Sequence, residues 1–73
     1  MLAIDQFDVV FDFAQRFKDQ SDWPNAKIAY ETAKKIAELN LAKDPSSASW
    51  RKKFDDSGVE AVKAETALQG ARP

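Results

Sequence analysis

Residues 2–17, Leu-Ala-Ile-Asp-Gln-Phe-Asp-Val-Val-Phe-Asp-Phe-Ala-Gln-Arg-Phe, hold four of the chain's five phenylalanines and constrain its fold more than any other stretch. Ala3, Phe7, Val10, Ala14 and Phe17 recur at steps of four and three, which stacks them on one face of an α-helix. Ile4 and Phe11 widen that seam on one side, and Leu2, Val9 and Phe13 widen it on the other. The resulting arc exceeds the roughly 100° stripe of an ordinary surface helix. Asp5, Asp8, Asp12, Gln15 and Arg16 are left for water. One neighbouring helix cannot cover such an arc, so this helix is expected to lie between two neighbours, or between one neighbour and another molecule.

The chain is short. Its 73 residues suit one domain near the lower limit of independent folding, with little core to hollow into a small-molecule pocket. Cys and His are both absent, which removes disulfides, the commonest general base and the commonest metal ligands together. A net charge of −1 gives no global attraction for nucleic acid or an anionic membrane. Asp5, Asp8 and Asp12 interrupt the opening apolar run, no basic segment leads it, and no stretch reaches the roughly 18 apolar residues of a membrane span. A soluble cytoplasmic protein without cofactors is expected.

Lys18-Asp19-Gln20-Ser21-Asp22 reads as a tight connection between antiparallel helices, with Asp22 or Ser21 as a cap and Pro24 in the first turn of the next helix. From Ala26 to Ala42 there is neither Gly nor Pro. Ala26, Ala29, Ala33 and Ala37 make a ridge of small residues, with Tyr30 and Ile36 beside it, fitted to receive Phe7, Val10 and Phe17. Ile28 and Leu39 fall away from that ridge, Leu41 sits at its edge, and all three are candidates for contact with a third helix. Asp44-Pro45 ends the second helix, and Asp44 is placed to cap the next. Trp50 and Phe54 then stand one turn apart, with Gly58, Ala61 and Leu68 continuing their line. The spacing predicts an all-α, three-helix antiparallel bundle, with helices over about 2–18, 23–43 and 47–69 in one domain. Ser57-Gly58-Val59-Glu60 has the form of a capping box, so a break near Gly58 is the alternative to a continuous third helix.

The first two helices resemble a tetratricopeptide-type repeat. With Ala26 as the small residue opening the second helix, Val10 and Phe13 match large positions of the first, Ala14 its small position and Phe17 its aromatic one. Tyr30 and Ala33 match the aromatic and small places of the second. Pro45 comes later than in the shortest repeats, and Leu41-Ala42-Lys43-Asp44-Pro45 followed by Trp50 and Phe54 is similar to longer bacterial versions. Beyond Phe54 the match decays, because Gly58, Val59 and Val62 do not reproduce the next repeat's places. The resemblance implies one helical hairpin plus a third helix, either a solitary unit or a piece of an array.

Chemistry-bearing clusters are sparse. Asp5, Asp8 and Asp12 share a helix face, but a straight helix cannot surround a cation as a metal loop does. Glu38 with Asp44, or Asp55, Asp56 and Glu60, offer carboxylates without a cleft to perturb them. No catalytic, metal or cofactor site is expected, and no enzyme. The leading expectation is a protein-protein interaction module that uses the spare face of helix 1 in a homodimer or against a partner, through Ile4, Val9 and Phe11, with Trp23 beside the turn as a further anchor. A small inhibitor or neutraliser of a partner enzyme, of the phage, antitoxin or immunity kind, is the alternative. Nucleic-acid binding through Arg51, Lys52, Lys53 and Trp50 is a third reading, opposed by the adjoining Asp55 and Asp56.

Overall fold

A computed structural model describes residues 3–70, with side chains from Gln6 onward. It comprises three α-helices: α1 (Ala3–Asp19), α2 (Trp23–Lys43) and α3 (Ala48–Gly70). The bundle is elongated, 43 × 21 × 13 Å between extremes, because the three helices lie side by side along one axis. α2 is the central helix and packs closely against both others, whereas α1 and α3 meet chiefly through side chains.

The turns explain the helix ends. Asp22 caps α2 by accepting from the Asn25 amide at 3.4 Å, and Pro24 occupies the first turn, where a missing amide proton costs nothing. Ser21 takes the left-handed conformation (φ 58°) that closes the turn, while the Asp22 amide donates back to the Phe17 carbonyl at 2.8 Å. At the second turn the cap is Ser47, whose hydroxyl accepts from the Trp50 amide at 3.1 Å. Asp44 does not cap α3 with its side chain, which instead accepts from the Ser46 hydroxyl at 3.1 Å. α3 runs unbroken through Gly58. The Ser57 hydroxyl donates to the Lys53 carbonyl at 2.8 Å inside the helix rather than starting a new one.

Alanine builds the core. Ala14, Ala26, Ala33, Ala37 and Ala64 are fully enclosed and bring the helices together, leaving Phe7 and Tyr30 as the large buried side chains. Near the first turn Ala14, Ala26, Tyr30, Ala61 and Ala64 form one cluster, against which Phe17 and Trp23 pack. Towards the other end Phe7, Ala33 and Ala37 form a second, sealed by Trp50 and Phe54. The ridge therefore receives Phe7, Val10 and Phe17, as its spacing predicts. Phe11 joins the clusters: its ring stacks on Phe7 at 5.5 Å and meets Tyr30 edge-on at 5.4 Å.

Candidate protein interface

The Phe11–Tyr30 contact marks one flank of the α1–α2 hairpin, and α3 covers that flank. Lys18 on α1 reaches Glu60 on α3 at 3.1 Å, and Lys27 on α2 reaches Glu65 at 3.7 Å. Burial raises the Glu60 carboxyl's pKa, but hydrogen bonds from Lys18 and Lys63, and the charges of both, outweigh burial and hold it below the ordinary carboxylate value.

Two residues along a helix rotate the side chain by about 200°. Val9 and Phe13, each two residues from Phe11, therefore emerge on the flank away from α3, where they are 54% and 52% exposed. Ile28, two residues from Tyr30, emerges on the same side and is 61% exposed. The register set by Phe11 against Tyr30 brings Phe13 level with Ile28. Leu39, three turns beyond Ile28 on the same stripe, is 54% exposed. Half-buried Val10, Phe17, Ala29 and Ile36 form the floor between the two helices. The result is an apolar face shared by α1 and α2.

This arrangement redistributes the residues that the sequence groups together. Val9 lies on the open face. Phe11 lies on the opposite flank, half-buried under α3's side, so the two do not form one patch. Trp23 is half-buried against the turn-end cluster and closes the core there. The side chains of Leu2 and Ile4 lie outside the described residues. Ile28 and Leu39 do not contact the third helix, because α3 packs on the other flank of α2, over Lys27 and Lys34. The side taken by α3 leaves both on the open face, Ile28 level with Phe13 and Leu39 three turns further on.

Two shallower features adjoin α3. A cleft of about 450 Å³ between α1 and α3 is lined by Phe11, Gln15, Lys18, Val59, Glu60 and Lys63. A groove of about 580 Å³ runs over Phe54, Gly58, Val59 and Val62, bordered by Lys34. The basic cluster is largely engaged within the chain. Lys53 stands over the rings of Trp50 and Phe7, at 5.1 and 5.6 Å, and Lys52 pairs with Asp56 at 3.1 Å. Trp50 meets the Phe7 ring edge-on at 5.8 Å, so it is not free to stack on a base. Among the described residues no three His, Cys, Asp or Glu side chains converge as metal ligands, and no helix is long and apolar enough to cross a membrane.

No protein-family model matches the chain, and no curated protein or solved structure matches it.

Proposed function

We propose that this chain is a non-catalytic protein-protein interaction module whose contact surface is the outer face of the α1–α2 hairpin. The observation that carries the reading is the placement of Val9, Phe13, Ile28 and Leu39, four large apolar side chains more than half exposed on one side of the molecule. Scattered apolar residues are ordinary on a protein surface; a contiguous patch drawn from two helices marks a contact site. Of the places on which the tetratricopeptide resemblance rests, Ala14, Ala26, Tyr30 and Ala33 lie at the helix contacts and Phe13 lies on the open face. A small inhibitor that blocks a partner enzyme would use the same face. The nucleic-acid reading is weakened by the engagement of Lys52, Lys53 and Trp50 within the chain.

The test is Phe13→Lys, followed by thermal unfolding and, at dilutions where the chain is monomeric, by fluorescence of a dye that binds exposed apolar surface. Phe13 already gives half its surface to water, so the variant should lose no more than about 1 kcal/mol of stability while dye binding falls. A variant that unfolds outright would show that Phe13 belongs to the core and would refute the assignment.

A further inference from the structure

We infer that the hairpin's outer face is closed by a second copy of this chain, in an isologous pair; the inference rests on the interaction reading above and names its partner. Charge supports that choice. Among the apolar residues stand Gln6, Asn25 and Thr32, which are neutral, and Lys35, which lies between Ile28 and Leu39. The charges within and beside the face are paired inside the chain: Lys35 with Glu38 at 3.3 Å, and Arg16 with Asp12 at 3.0 Å. Beyond Leu39, Lys43 stands at the end of the stripe. Such a face has little to offer a phosphate backbone, an anionic membrane or an acidic peptide, and it complements a surface that is itself neutral and apolar.

Area points the same way. Four large side chains a little over half exposed present on the order of 400 Å² of surface. A standard interface buries roughly 800 Å² per partner, somewhat over half of it apolar, so those side chains supply most of the apolar share. A patch of roughly 800 Å² is about a sixth of the molecule's 4890 Å². Phe13 and Ile28 project level with each other, with the half-buried Val10 and Ile36 between the helices. An isologous contact uses the same patch on both copies and leaves none open, so association stops at two.

Sedimentation equilibrium of the full chain, from low micromolar to about millimolar, tests this. The wild type should fit a monomer–dimer equilibrium. Phe13→Lys and Ile28→Lys should each weaken it about tenfold or more, because each puts a charge in a desolvated contact, and both should remain helical by circular dichroism. Val62→Lys, 65% exposed in the groove that α3 forms with α2 beside Lys34, should leave the equilibrium unchanged. A wild type that stays monomeric at millimolar concentration would overturn self-pairing. If Phe13→Lys then still folds and still loses dye binding, the interaction reading survives with a different protein on the face. Open-ended assembly, or weakening by Val62→Lys equal to that by Ile28→Lys, would also overturn it. If both hairpin variants unfold, the milder Ile28→Thr decides: unfolding there too would remove the interaction reading together with the dimer.

Discussion

Tyr30→Phe should stabilise this protein. Tyr30 is completely enclosed among Ala14, Ala26, Ala61 and Ala64, and its hydroxyl has no hydrogen-bond partner among the described residues. Leaving a buried polar group unsatisfied costs about 1–3 kcal/mol, whereas removing it along with its need for a partner is neutral or favourable. Deleting the oxygen leaves a void smaller than a methyl group, so a net gain of about 1–2 kcal/mol is expected. In a domain of this size that raises the midpoint of thermal unfolding by roughly 4–8 °C per kcal/mol. The advantage should grow with pH. Burial first, then the nearby charges of Glu60 and Asp19, push the phenol from 10.0 up to about 12. A group whose pKa is raised by folding contributes its full stability below the unfolded value and loses it as pH climbs through the folded one. The wild type therefore forfeits on the order of 2–3 kcal/mol between pH 10 and 12, and Tyr30→Phe does not. Urea unfolding of both proteins at pH 7 and at pH 11 measures the two effects separately. A variant less stable than wild type at pH 7 would refute the reasoning, because it would mean that the hydroxyl is held by a hydrogen bond.

Gly58→Ala should add about 1 kcal/mol in urea unfolding: the position is helical, and a Cβ there would meet nothing nearer than the Lys34 Cε at 3.8 Å. Ala33→Leu should do the opposite, costing about 1–3 kcal/mol or more in the same assay, because Ala33 is fully enclosed beside Phe7 and Ala37. Glu60→Gln should flatten the acid limb of a stability-against-pH curve. The folded carboxyl titrates below its ordinary 4.5, so its contribution is complete above that value and is lost as pH falls through the lowered one.

The helices were legible because their signals are local. The steps of four and three along α1, the alanine ridge of α2 and Pro24 and Pro45 at its two ends act within a turn or two of where they stand. Continuity at Gly58 required weighing a penalty of about 1 kcal/mol against the anchorage of Trp50 and Phe54, and the anchorage prevails. The candidate face was only half legible. An over-wide apolar arc on α1 says that some of it is spare, but which flank is spare depends on where α3 crosses the hairpin. That choice is made by non-local contacts, Lys18 to Glu60 and Tyr30 to Ala61 and Ala64, and no periodicity encodes them. Hence Phe11 passes from the proposed contact surface to the junction of the two core clusters, and Ile28 and Leu39 pass from core candidates to the open face.

The central claim is that one side of the hairpin is free of the fold and available for contact. Amide chemical shifts recorded over a dilution series on the wild-type chain test it residue by residue. The account predicts that the amides around Val9, Phe13, Ile28 and Leu39 move with concentration while those around Val59 and Val62 stay still. Movement confined to α3, with the amides of that face unmoved, would contradict it.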